Sequence, residues 1–232
     1  MTLSNNPAST LEEAILSRRA VRSFKPDLVP PRALIEKMLD LARYAPNGSN
    51  IQPWTVYIVA GAARDRVCQA ILAADEAEAP GYDEEYQYYP VDWFEPCLGR
   101  RRTLGKALYG LVGVGKGDLA AMKRQNARNY VFFDAPVGLF FSIDKRNQYG
   151  GWIDMGGFLQ TAMVTARSLG LHTCPQQSFS KYHRIIREHV PIPEDHVLVC
   201  GMSVGYAEEE AVVNRLIPEK APVEEFTTFL WD

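Results

Sequence analysis

The sequence predicts a single α+β domain in which helices surround a mostly antiparallel sheet. Three observations carry that expectation. Helix-period segments outnumber strand-like ones, and the strand-like runs are rich in β-branched and aromatic residues. No repeat, low-complexity tract or Gly-Ser linker divides residues 1–232. The length suits one domain, and 47% apolar residues suffice for a sizeable core.

Taken in order, "STLEEAILSRR" reads as a capped helix, with Ser9 or Thr10 ahead of Glu12 and Glu13 and apolar residues at 11, 14 and 15. A second helix follows Pro30 and Pro31, with Leu34, Ile35, Met38, Leu39 and Ala42 at helical spacing, and must stop near Pro46. The polar loop "PNGSNIQP" leads into a strand, "WTVYIVAG", and a helix is expected over 64–77. Residues 78–103 are acidic and Tyr-rich, carry Pro80, Pro90 and Pro96, and end in "GRRR". A stretch of that length suits a lid or an excursion over a neighbour, and the variable segment is taken as about 78–128. A Lys- and Arg-rich helix over about 118–128 precedes the strand "FDAPVGLFFSID". Trp152–Leu169 is apolar nearly all round and is expected to be a central buried helix, and "HVLVCGMSVGYA" is a third strand.

Composition removes several classes of function. With 25 basic against 28 acidic residues, no global field draws the chain to nucleic acid or an anionic membrane. The opening residues lack the pattern of a secretory signal, and Trp152–Leu169 is interrupted by Asp154, Gln160 and Arg167, so a cytoplasmic protein without a membrane span is expected. Cys68, Cys97, Cys174 and Cys200 show neither a Cys-x-x-Cys spacing nor a His partner at metal-ligand spacing, and buried, reduced thiols are expected. His172, His183, His189 and His196 fall in no metalloprotease pattern, and each reads as structural or surface histidine. Gly110, Gly115 and Lys116 have P-loop spacing, but Gly117 stands where a Mg²⁺-binding hydroxyl is required. That stretch is read as a tight turn between two helices, the second capped by Asp118. No G-x-S-x-G elbow occurs.

Two stretches resist a bland reading. "SRRAVRSFKP" puts four cations into ten residues of a chain with net charge −3. Arg18 and Arg22 share a face whether the segment is helical or extended, and two guanidiniums aimed at one point suit a phosphate dianion. At the C-terminus of the first helix the dipole repels anions, so the side chains would supply the whole attraction. Spacing alone leaves a solvated basic patch equally open. In "PNGSNIQPW", two prolines restrain the backbone, Gly48 permits close approach, and Asn47, Ser49, Asn50 and Gln52 offer donors and acceptors that complement a flavin or base edge. A polar turn of no special function would look the same.

In their order and spacing, "SRRAVRSFKP", "LARYAPNGSNIQPWTVYIV", "GLHTCPQQSF" and "APVEEF" resemble the FMN-dependent nitroreductase family, over residues 10–70 and 107–230. The segments "GRRRTLGKALYGLVGVGKGD" and "NYVFFDAPVGLFF" look most like the branch that reduces nitrobenzoates and related nitroarenes. The resemblance implies an intertwined homodimer with an FMN site at the interface built from both chains. NADPH or NADH would be the electron donor, with hydride passing through flavin N5 to a nitroaromatic substrate. By position, Arg18, Arg19, Ala20 and Arg22 would hold the phosphate and ribityl chain. Pro46, Asn47, Gly48, Asn50 and Gln52 would line the ring, and Pro175, Gln176, Gln177 and Ser178 would present backbone N–H to N5. No side chain would act as nucleophile. Two departures stand out: Ala20 replaces a common Ser, and Ile217 and Lys220 occupy places where relatives often carry arginines, with Arg215 nearby as a substitute.

Specificity is expected to lie in the variable segment, where Tyr88, Trp93 and Phe94, with Tyr82, Tyr86 and Tyr89, would stack on an arene or on a partner subunit. Arg100, Arg101 and Arg102 would meet a carboxylate. A reductive dehalogenase using Asp83, Glu84 and Glu85, another flavin reductase of the same family, and a non-enzymatic flavin-binding redox protein stay open on the sequence alone.

Overall fold

The computed structural model describes residues 3–231. Helix α1 (Leu11–Ser17) starts where Thr10 Oγ1 accepts from the Glu13 N–H, and Ser9 closes the cap by donating to the Glu13 carboxylate. Helix α2 (Arg32–Ala42) follows the two prolines and buries Ile35, Met38 and Ala42. Strand β1 (Trp54–Ala60) leads into α3 (Gly61–Glu76), and beyond an irregular stretch come α4 (Cys97–Leu111) and α5 (Leu119–Ala127). The Gly-rich stretch is the expected turn: Gly113 and Gly117 take φ of 69° and 84°, and Asp118 caps α5 through the Ala121 N–H. Strand β2 (Val137–Asp144), helix α6 (Gln148–Ser168), strand β3 (His172–Gln176), helix α7 (His183–His189), strand β4 (His196–Gly205) and the short α8 (Val223–Phe226) complete the order. None of the described helices is long and apolar enough to cross a membrane.

The four strands lie in the order β1-β2-β4-β3, every pair antiparallel. Alternation along β2 sends Val137, Leu139, Phe141 and Ile143 to a core shared with α2 and α6. Phe140 points to a second core with α3, α7 and the aromatic cluster Tyr130, Phe132, Phe179 and Tyr182. In β4 the register shifts: Phe141 pairs with Cys200 but Ser142 with Leu198, leaving Val199 as an extra residue, a β-bulge.

Three expectations change. A fourth strand, β3, is present where Pro175 and the short "HTCPQ" run hide the alternation. Helix α6 is not buried all round: Met155, Phe158, Ala162 and Ala166 face the core, while Tyr149 and Ile153 are exposed. Within the variable segment 78–128, besides the expected helix over about 118–128, a helix α4 begins at Cys97, inside the 78–103 stretch read as irregular.

Two glycines let the aromatic core touch the sheet. A Cβ on Gly138 would lie 2.3 Å from the Phe132 ring, and one on Gly201 2.4 Å from that of Phe179. Gly138→Ala and Gly201→Ala should each destabilise by about 1–3 kcal/mol. Gly150→Ala, in α6 with nothing within 4 Å of the added carbon, should be neutral or stabilising. Urea midpoints at constant slope measure the difference.

Candidate active site

The basic segment runs along the free edge of β3. Ala20 forms a parallel bridge with Thr173, and the Val21 N–H donates to the Thr173 carbonyl at 3.2 Å. Extended backbone alternates its side chains, so Arg19 and Val21 are buried while Arg18, Ala20 and Arg22, on the other side, are half-buried, Arg22 Nη1 donating to the Ala20 carbonyl at 3.3 Å. The shared face expected for Arg18 and Arg22 is therefore the extended one. Burial pushes the Cys174 thiol up to about 11, against the opposing pull of the Arg22 and Arg18 charges. Arg19, turned inward, donates to the Asn214 carbonyl.

Two buried side chains hold this segment. Asn214, only 1% exposed, accepts from the Arg22 N–H at 2.8 Å and donates to the Ser23 and Glu208 carbonyls. Arg167, at the far end of α6, donates to Ser17 Oγ, the residue before Arg18, and to the carbonyls of Ser4, Asn6 and Leu171. Beside it, burial and the Arg167 charge pull His172 down to about 4, a neutral structural histidine as expected.

From Thr173 the strand continues to the predicted stretch Pro175–Ser178. Pro175 is exposed, Gln176 is buried, and the Gln177 amide donates to Ser180 Oγ. Ser178 Oγ is buried with no hydrogen-bond partner, as are Arg128 Nε and His172 Nδ1. Two neighbours escaped the sequence reading. Gln176 Nε2 donates to the Asn129 carbonyl at 2.7 Å, and Arg128 Nη2 reaches the Arg22 carbonyl at 3.4 Å and Asp134 at 2.8 Å. The polar pair Arg128-Asn129, wedged between a basic helix and an aromatic run, was the available signal.

The amide-rich loop lies elsewhere. Pro46, Gly48, Asn50 and Gln52 are exposed, and positive φ falls on Ser49, Asn50 and Gln52 rather than on Gly48. Three non-glycine residues in the left-handed region in so short a span store strain of the kind that clusters at ligand sites. Asn47 braces the loop, its Oδ1 accepting from the Gln52 N–H and its amide donating to Ala45. The Gly48 N–H donates to Asp154 of α6.

Opposite that loop, a cleft of about 710 Å³ opens beside Pro175 and Gln177, walled by Trp152, Met155 and Leu159 of α6 and by Tyr86 and Tyr88. At 3.6 residues per turn, Trp152, Met155 and Leu159 lie on roughly the opposite face of α6 from Asp154 and Gly157, which the 46–52 loop touches. Within one chain, then, the helix stands between the loop and the cleft.

The aromatic wall is fixed to the β4 bulge. The Tyr86 hydroxyl donates a short hydrogen bond to the Val199 carbonyl, and Glu85 accepts from the Leu198 N–H at 2.9 Å. Arg187, Lys145 and His183 surround the same carboxylate. Burial pushes Glu85 up, but the Leu198 N–H and Arg187 outweigh it and hold the carboxyl below its ordinary value. Tyr86 packs on Trp152 with ring centroids 4.6 Å apart and edge-on to Tyr88.

Of the residues expected to meet an arene, Tyr88 lines the cleft. Trp93 packs instead on Tyr89 and under Arg101, and Phe94 is 58% exposed. Arg100 pairs with Glu225. Arg215 is paired at 4.0 Å with Glu210, and Lys220 lines a separate groove between α4 and the C-terminal segment.

Comparison with known proteins agrees with this architecture. The family model described as the Nitroreductase family matches residues 15–206. The 4-nitrobenzoate reductase of Pseudomonas putida is 38% identical over 94% of this chain and 95% of its own length. The nitrobenzene nitroreductase of Ectopseudomonas oleovorans is 36% identical over 95% and 96%. Among solved structures, the FMN and NADPH-dependent nitroreductase NfnB from Sphigopyxis sp. strain HMH superimposes with a TM-score of 0.92 at 33% identity, covering 96% of this chain and 100% of that one.

Replacing Glu85 by Gln should cost about 1–2 kcal/mol at neutral pH, because Arg187 loses a partly buried counter-ion. A carboxyl held below its ordinary value confers stability that is full above the unfolded value of 4.5 and is lost as pH falls through the folded value. The stability gap between wild type and Glu85→Gln should therefore narrow on acidification. Urea titrations across acid pH measure it, and a gap independent of pH would refute the assignment.

Proposed function

This chain belongs to the nitroreductase family, and on that footing we propose that it is an FMN-dependent NAD(P)H nitroreductase, acting in the cytoplasm, that takes nitroaromatic compounds through the nitroso to the hydroxylamine stage. The observation that carries the reading is the juxtaposition of Arg18 and Arg22, through the Ala20–Thr173 bridge, with the Pro175–Ser178 strand end and the cleft beyond it.

The residues fit FMN. Arg18 and Arg22 present two forks to a phosphate, and Ser178 offers a buried hydroxyl with no partner of its own. Pro175 gives a flat exposed surface, and Arg128 and Asn129 flank the segment. When bound, FMN supplies the hydride relay between nicotinamide and nitro group. The arginines hold the dianion, with Arg19 buried behind them as support. The cleft wall of Tyr86, Tyr88 and Trp152 excludes water and receives a flat ring. Ala20 offers no hydroxyl, and its backbone is already committed to the bridge with Thr173.

The ring-lining role of Pro46, Asn47, Gly48, Asn50 and Gln52 requires a second chain, because α6 separates them from their own Pro175. We take the functional unit to be an intertwined homodimer of single-domain chains in which each cleft is completed by loop 46–52 of the partner subunit. Supporting this, β1 is an outer strand of the sheet, and Phe226, Phe229, Leu230 and Trp231 at the C-terminal end are exposed. The dehalogenase alternative loses support, since Glu85 is committed to Arg187 and Leu198.

Purified protein should be yellow, elute as a dimer and oxidise NADPH only with a nitroarene present. Bound FMN that NADPH and NADH both fail to reduce would favour a redox-sensing role. Arg18→Ala with Arg22→Ala should fold but retain FMN at least about tenfold more weakly, measured by flavin released on denaturation. Full occupancy in that variant would sink the phosphate assignment.

A further inference from the structure

The cleft beside Pro175 carries a statement about substrate charge. No Asp, Glu, Lys, Arg or His is among the described residues lining it. Its polar groups are largely committed: the Tyr86 hydroxyl to Val199, the Gln87 amide to the Tyr89 carbonyl at 2.6 Å, and the Gln177 amide to Ser180 at 2.7 Å. Of the α4 arginines, Arg100 pairs with Glu225 and Arg101 lies over the Trp93 ring at 4.5 Å, and none of Arg100, Arg101 and Arg102 lines the cleft. What else lines the cavity is neutral: aromatic and thioether side chains, including the phenols Tyr88 and Tyr149, and the buried Cys200 thiol.

We propose that this cleft selects neutral nitroarenes and discriminates against those bearing a carboxylate. The inference rests on the nitroreductase reading and adds the chemical class of its substrate, where relatives named for nitrobenzene and for 4-nitrobenzoate are about equally similar. A flat neutral ring entering the cleft exchanges water for Tyr88 and Trp152 and leaves no group unpaired. A carboxylate entering the same space gives up its hydration and meets no cation, either on this wall or in the loop 46–52 sequence that completes it. The local environment already behaves this way toward an anion: burial pushes the Tyr88 phenol up, favouring its neutral form.

The test uses the FMN-loaded protein and an isosteric pair, 4-nitrobenzamide and 4-nitrobenzoate, so that size stays constant and charge changes. Expected is a kcat/KM at least about tenfold higher for the amide, the loss for the acid appearing mainly in KM. Equilibrium dialysis of the two compounds should give the same order in Kd, a readout that needs no turnover. Tyr149→Arg places a cation at the cleft mouth, at a position 86% exposed and so tolerant of substitution. It should raise kcat/KM for 4-nitrobenzoate several-fold relative to that for the amide, the acid-to-amide ratio being the readout. Equal or better use of the acid by wild type would overturn the proposal. Failure to reduce either compound would instead count against the nitroreductase reading, and the dialysis order would still decide charge selection.

Discussion

A strand that carries one residue too many leaves backbone groups out of register with its neighbour, and in β4 the segment before α4 depends on them. The Val199 carbonyl accepts from Tyr86 and the Leu198 N–H donates to Glu85, so two consecutive residues of an otherwise irregular stretch dock on the bulge. Arg187 and His183 of α7 and Lys145, just after β2, close around the carboxylate from two other parts of the chain. The stretch is long and rich in proline, yet one anchor fixes the rings that follow it. Tyr86 meets Trp152 on α6, Tyr88 leans on Tyr86, and a cleft exists because both are held.

The cationic end of the site obeys a different constraint. Its segment is irregular and follows a helix C-terminus, where a dipole would disfavour an anion, so precise placement of side chains must substitute for backbone donors. That placement comes from behind. Asn214 grips the backbone of Arg22 and Ser23, Arg167 grips Ser17, and the β3 edge takes Ala20 and Val21. Arg19 faces these supports, which is why one of three neighbouring arginines is buried while its two companions, on the other side, are half-buried.

How much of this could be read from residues alone follows from how local each feature is. Helix α2 shows itself through apolar spacing, and the Gly-rich turn through a missing hydroxyl and an Asp cap. Strand β3 was invisible because five residues containing a proline make no period, and only its pairing with β4 defines it. The exposed face of α6 carries Tyr149 and Ile153 beside Gln148 and Gln160, so apolar periodicity alone does not mark which side meets the core. Arg18 and Arg22 were legible as a pair, whereas their contact with β3, and the proximity of Arg128 and Asn129, arises from residues more than a hundred positions apart. The bulge leaves no mark in "HVLVCGMSVGYA", and neither does the role of Glu85, which among neighbouring acids is distinguished only by what surrounds it.

The position of α6 between the 46–52 loop and the cleft has a genetic corollary. If each catalytic centre takes its arginines from one chain and its loop from the other, two defective alleles can rescue each other. A chain damaged at Arg18 and Arg22 and a chain damaged in the loop are each inactive as homodimers. In a mixed dimer, one centre inherits both lesions and the other inherits neither. Co-expression of the two would restore partial activity in a cell that neither supports alone, a pattern that a centre built wholly within one chain cannot produce.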